Sequence, residues 1–212
     1  MAITLIGREE EQNILSKFFT SAKAELLALY GRRRIGKTFL VTEYFSKQDC
    51  IFFYTTGIKN APRKKQIRQF TKIIGDVFYA GAELRQKIDW LETFELLTTA
   101  FNHMPKNKKI VLFMDEFPWM ATRSSGLLDA LDYYWNRYWI SDKRIKLIIC
   151  GSSVSWIIDK QYAENLSNKI KVFKQQTRTT KDLFINMVTS NGIKPTLYSK
   201  KIVSGVVTLD DF

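Results

Sequence analysis

Eight residues constrain this chain more than any others. Gly31-Arg32-Arg33-Arg34-Ile35-Gly36-Lys37-Thr38 satisfies the pattern G-x-x-x-x-G-K-[ST]. Its glycines let backbone N–H groups wrap a polyphosphate that side chains would otherwise keep at a distance. Lys37 is placed to reach the outer phosphates, and the Thr38 hydroxyl to ligate Mg²⁺. The flanks agree with that use. Glu25 to Tyr30 reads as a buried strand, and Thr38 to Phe45 as a helix with an apolar face. A strand, a loop and a helix in that order put the phosphates at a helix N-terminus.

A second half of such a site follows at Ile110-Val111-Leu112-Phe113-Met114-Asp115-Glu116. Five apolar residues without alternation suit a strand covered on both faces, as in a parallel sheet. Carboxylates at its C-terminal end lie where open α/β sheets bind ligands. Asp115 is expected to hold the metal and Glu116 to act as general base on the attacking water. A third apolar run, Ile145 to Cys150, ends in Gly151-Ser152-Ser153. A hydroxyl there can sense the terminal phosphate, Ser152 first and Ser153 second; the other reading of this segment is an ordinary turn at Gly151.

The remaining elements predict a βαβαβαβ order. Helices are expected over residues 8–20, 63–77, 89–104 and 125–140, with a second strand over 50–56 and a loop at Phe117-Pro118-Trp119-Met120. Ile14, Leu15, Phe18 and Phe19 are expected to face inward on the first helix. The same holds for Trp90, Phe94, Leu97 and Phe101, and for Leu128, Leu131, Trp135 and Trp139. Helices of that length between parallel strands give a three-layer, doubly wound α/β sheet.

Composition excludes several alternatives. No window of eighteen apolar residues predicts a membrane span, and the N-terminus lacks a signal-peptide pattern. Cys50 and Cys150 have no metal-ligand spacing and read as free thiols of a cytoplasmic protein; His103 reads as a surface residue. The net charge of +12, from 33 basic and 21 acidic residues, is scattered over short runs including 106–109 and 143–146. A solvated lysine-rich surface is the default for such runs, and a DNA partner meeting that surface is the alternative.

Four blocks carry a family resemblance: Ile6-Gly7-Arg8-Glu9-Glu10-Glu11, Leu29 to Thr38, Met114-Asp115-Glu116-Phe117-Pro118-Trp119, and Cys150-Gly151-Ser152-Ser153-Val154-Ser155-Trp156. In this order they resemble the archaeal-type ATPases of the STAND/AAA+ superclass of P-loop NTPases. The resemblance implies ATP and Mg²⁺ as ligands and a sheet of the additional-strand type. It implies a nucleotide-binding set of Gly31, Arg32, Arg33, Arg34, Ile35, Gly36, Lys37, Thr38 and Phe39. Ile6, Gly7 and Arg8 become candidate base or ribose contacts, which the sequence alone reads as a helix cap. Full-length members of that group continue into a helical lid and often a restriction-endonuclease-like region. Residues 158–177 and 209–212 look like the end of such proteins, so the chain reads as an ATPase domain over 1–157 and a C-terminal remnant over 158–212 with the middle missing.

On that reading turnover is slow, or the chain is a nucleotide-binding module without turnover. Self-association and a toxin- or nuclease-type partner stay open. In the remnant, Tyr162, Leu166, Ile170 and Phe173, then Leu183, Phe184 and Met187, have helical spacing, and two short strand-like pieces follow within 196–208. Two strands without a third or a covering helix are marginal in water, so a short, poorly packed appendage is expected. Limited proteolysis should therefore cut first between residues 159 and 201 and leave a nucleotide-binding core of 1–157. Protection of the tail equal to that of the Asp115 strand in hydrogen exchange would overturn this expectation.

Overall fold

The computed structural model describes residues 7–31, 33–151 and 168, and the strands 185–188 and 203–207. The chain divides into two compact units, one of residues 1–29 with 36–151 and the other of residues 30–35 with 152–212.

In the larger unit the first helix, α1 (Glu9–Thr20), opens on Glu9, Glu10 and Glu11, which complement the positive end of its dipole. Strand β1 (Glu25–Tyr30) precedes the phosphate-loop motif and α2 (Lys37–Phe45) follows it. Then come β2 (Cys50–Thr56) and α3 (Arg63–Phe78), which starts after Pro62, a residue suited to a helix entrance. Helix α4 (Trp90–His103) is capped by the Asp89 carboxylate, which accepts from the Glu92 N–H at 2.9 Å. The apolar run forms β3 (Lys109–Asp115), and the third run forms β4 (Ile145–Gly151).

These four strands make one parallel sheet in the order β1-β4-β3-β2. Strand β3 is parallel to β2, pairing Thr56 with Asp115, and parallel to β4, pairing Met114 with Ile149. Strand β4 thus stands between the strand before the phosphate loop and the strand ending in carboxylates, which is the additional-strand arrangement. Alternation along β3 sends Val111 and Phe113 to one face, where they pack with Ile148, Cys150 and the α1 and α2 residues Leu15, Phe18, Leu40, Val41 and Phe45. On β2, Phe53 meets the rings of Phe70 and Phe78 on α3. Phe70 in turn meets Trp90 and Phe94 on α4. All four expected inward residues of α4 are buried. Two helical layers and the sheet between them make the three layers.

Five details differ from the sequence reading. Ile14 is 52% exposed, because the buried stripe of α1 runs through Leu15 and Phe18. Residues Phe117–Met120, expected as a loop, form a one-turn helix, α5, with Pro118 at its start. The helix expected over 125–140 is α6 (Leu127–Tyr134) followed by a π-helical turn, Trp135–Trp139. In that turn the Ile140 N–H reaches the Trp135 carbonyl at 2.9 Å. The extra residue of that turn lets Trp139 be buried, as expected, while Tyr138 is not; Leu128 is 49% exposed because Leu127, Ala130, Leu131 and Tyr134 make the buried face of α6.

The fourth difference concerns the basic runs. Lys109 and Lys146 turn inward to the last carbonyls of α1 and the loop beyond: Lys109 Nζ donates to Phe19 and Ser21, and Lys146 Nζ to Ser21 and Lys23. Burial lowers both ammonium pKa values, and Lys109 adds to the effect on Lys146. Across the sheet, Arg144 donates to the carbonyls of Phe101, Met104 and Pro105 at the end of α4 while its Nη2 meets Asp142 at 2.6 Å. Helix C-termini leave four carbonyls without partners, and long cationic side chains from the neighbouring strands satisfy them here. Periodicity shows only a charge run and not its target.

The fifth lies in the smaller unit. Ile185–Val188 is a strand, β5, where helical spacing was expected; it pairs in parallel with β6 (Val203–Val207). Both strands start or end on β-branched residues, which favour that backbone. The other positions of the expected tail helices and strands lie outside the described residues, and so do Ile6, Arg32, Ser152 and Ser153.

Arg144→Met keeps most of the buried stem and removes every donor, so it should destabilise the fold by on the order of 3 kcal/mol, after allowance for the partial exposure of Asp142. Urea unfolding measures this, and a midpoint equal to that of the wild type would refute the capping account.

Candidate functional site

The C-terminal edge of the sheet brings together residues far apart in sequence. Gly36 caps α2 in the left-handed region at φ 80°, where glycine bears no Cβ penalty. Arg34 is also left-handed, at φ 66°, and Gly31 has φ 149°. Among the described residues no side chain caps the α2 N-terminus and no acidic residue stands in its first turn, and an anion there would complement the positive end of the helix dipole. Lys37 and Thr38 are the first two residues of this helix.

Thr38 points at β3. Its Oγ1 donates to Asp115 Oδ2 at 2.6 Å, joining the motif to the acidic strand end across 77 residues. Asp115 is only 6% exposed, and its other carboxylate oxygen accepts from the Glu116 N–H at 2.9 Å. A third neighbour comes from β4. Cys150 follows Ile149, the partner of Met114, and its thiol stands beside the Asp115 carboxylate. Burial first, and then the Asp115 carboxylate, push the Cys150 thiol far above its ordinary pKa. Tyr54 on β2 is likewise raised by burial and then by Asp115.

Glu116 leaves the strand in the left-handed conformation, at φ 45°. For a residue with a Cβ this costs about 1–3 kcal/mol and persists only where the surroundings dictate it. Its Oε2 is buried and has no hydrogen-bond partner. A buried carboxylate oxygen without a donor is costly in a resting structure and useful if a ligand or water supplies the donor.

Of the residues expected from the sequence, the structure joins Thr38 to Asp115 and sets Glu116 next in line. Arg8 caps α1 in the left-handed region, with Gly7 beside it at φ 73°. The Arg8 guanidinium runs along Gly36, its Nη2 3.5 Å from where a Cβ would stand. Phe39 is 41% exposed and points away from the core. The sequence reading missed Cys150 and Tyr54 as neighbours of Asp115. Alternation with Ile148 along β4, and with Phe52 along β2, carried that signal, but only the strand order shows which strands are adjacent.

Both thiols are held protonated, Cys150 as described and Cys50 pushed up to about 11 mainly by burial. At pH 8 the native protein should therefore react with a disulfide reagent about a hundredfold or more slowly than an unperturbed thiol, and both cysteines should react on unfolding. Rapid native labelling of Cys150 would show that its contact with Asp115 is not made.

Comparison with known proteins identifies the family and the fold. A family model described as an ATPase domain predominantly from Archaea matches residues 5–198. An uncharacterized protein of Methanocaldococcus jannaschii, MJECL04, is 28% identical over 176 residues, which are 83% of this chain and 35% of that protein. An uncharacterized ATP-binding protein of the same organism, MJ0423, is 37% identical over 46 residues, or 22% of this chain and 78% of that protein. Among solved structures, the Walker-type ATPase Paby2304 of Pyrococcus abyssi superposes with a TM-score of 0.50 at 18% identity, covering 79% of this chain and 59% of that one. Drosophila ORC bound to DNA superposes with a TM-score of 0.52 at 16% identity, covering 73% of this chain and 40% of that one. These likenesses show the fold. The chain spans about a third of MJECL04 and 59% of the Pyrococcus protein.

Proposed function

We propose that this chain, which belongs to the family of ATPase domains found predominantly in Archaea, binds Mg-ATP through residues 31–38 and hydrolyses it with Glu116 as general base. The observation that carries this reading is the 2.6 Å bond between the Thr38 hydroxyl and Asp115, next to a Glu116 Oε2 with no partner. A hydroxyl and a carboxylate are hard oxygen donors of the kind Mg²⁺ selects, so the residues present fit the ion. Thr38 and Asp115 would hold it, and the bound ion would neutralise charge on the triphosphate.

The chain's own residues supply the rest. The N-terminus of α2 and the Lys37 ammonium favour the phosphates. The partnerless Glu116 oxygen accepts a proton from water as that water attacks the terminal phosphorus. The bond to the bridging oxygen breaks, leaving ADP and phosphate. Ser152 is proposed to sense the terminal phosphate. Ile6, Gly7 and Arg8 are proposed as nucleoside contacts; the Arg8 guanidinium beside Gly36 supports a place for Arg8 near bound nucleotide. Membership of the STAND/AAA+ superclass and the division at residue 157 belong to the same proposal.

Two substitutions test it. Lys37→Ala should abolish most Mg-ATP binding in isothermal titration, since it removes the compact cation aimed at the outer phosphates. Glu116→Gln should bind normally and release phosphate about 10²–10⁴-fold more slowly. Binding by wild type with no turnover above that of Glu116→Gln would replace the enzyme by a nucleotide-binding module. Equal affinity of wild type and Lys37→Ala would overturn both.

A further inference from the structure

Glu116 is held in a left-handed turn, and a buried amide far from it in sequence holds that turn. Gln66 lies on α3 and is 3% exposed. Its Oε1 accepts from the Ile58 N–H at 3.0 Å, and its Nε2 donates to the Ile58 carbonyl at 2.7 Å and the Trp119 carbonyl at 3.2 Å. One side chain therefore ties the loop after β2 to the single turn of α5 that Glu116 opens. Gly57, at the start of that loop, completes the fit. Its N–H donates to the Asp115 carbonyl at 2.9 Å, and a Cβ there would stand 2.5 Å from the Glu116 carbonyl oxygen and 3.2 Å from Trp119 Cβ. Backbone contact at that distance cannot be relieved by a rotamer change.

We propose that Gln66 and Gly57 are positioning residues for Glu116, clamping the turn 115–119 so that its carboxylate is presented to the attacking water. The proposal rests on the reading of Glu116 as the base. The Trp119 N–H donates to the Glu116 carbonyl at 2.9 Å, so the carbonyl Gln66 holds and the carbonyl Gly57 meets belong to the same turn. A buried amide with three backbone groups to satisfy has few alternatives, and an apolar replacement of its volume leaves the Ile58 N–H and two carbonyls unpaired. The loop after β2 and the base then move as one piece: what displaces residues 57–61 displaces Glu116.

The test uses the full chain with Gln66→Met and, independently, Gly57→Ala. In each, Mg-ATP affinity should stay within about twofold of wild type while single-turnover hydrolysis falls about 10- to 100-fold, the size of loss expected from a misplaced catalytic group. Neither substitution should slow turnover further when added to Glu116→Gln, because both act through that carboxylate. Hydrogen exchange should quicken across 115–120 in both variants and stay unchanged across 109–114. Additive losses in the Glu116→Gln background, or unchanged exchange across 115–120, would overturn the proposal. If wild type shows no hydrolysis, Glu116 is not a base in this chain, and the exchange measurement alone decides whether Gln66 and Gly57 hold the turn. Gly57→Ala guards against a Gln66 variant that fails to fold.

Discussion

Burial of β3 on both faces is the constraint on which the rest depends. Every residue from Ile110 to Asp115 is buried, with β2 on one edge and β4 on the other. A strand so enclosed must be apolar along its length, and its first polar residues can only emerge at the end where the helical layers part. Asp115 and Glu116 stand there. Their place at the open edge of the sheet is thus a consequence of how completely the preceding residues are covered.

The two ends of the sheet divide the labour. At the N-terminal ends of β3 and β4, Lys109, Arg144 and Lys146 turn inward and satisfy the last carbonyls of α1 and α4. Those contacts anchor the helices, and the α1 anchor leaves Arg8, at the other end of that helix, beside Gly36. At the C-terminal end, the carboxylates accept from Thr38 and the backbone, with Cys150 beside them. A chain with a net charge of +12 therefore spends some of that charge on holding its own helices, and the remainder is what a polyanion would meet.

The order of the four strands also matters. With β4 between β1 and β3, Cys150 comes beside Asp115, and the strand ending in Gly151 lies between the strand before Gly31 and the strand ending in Asp115. Residue 152 follows directly, which is why a hydroxyl at that position belongs in the proposed mechanism.

Much of this was legible in the sequence, for physical reasons particular to each segment. The motif from Gly31 to Thr38 specifies its own backbone, since only glycine carries φ 80° at residue 36 without penalty. The unbroken apolar runs of β3 and β4 identify central parallel strands, and Trp90, Phe94, Leu97 and Phe101 mark one helical face. Periodicity placed Trp139 inward but misjudged Leu128 at the start of α6, and it missed the helix that Pro118 starts, which is too short to show a period. It could not show partners. That Thr38 meets Asp115, that Cys150 does too, that three basic residues turn inward, and that Gln66 grips the turn carrying Glu116 are set by the order of strands and the packing of helices. Sequence determines which residues must be buried and which must bend; only the tertiary structure decides which distant groups meet, because each such contact closes a loop of tens of residues and depends on everything packed between.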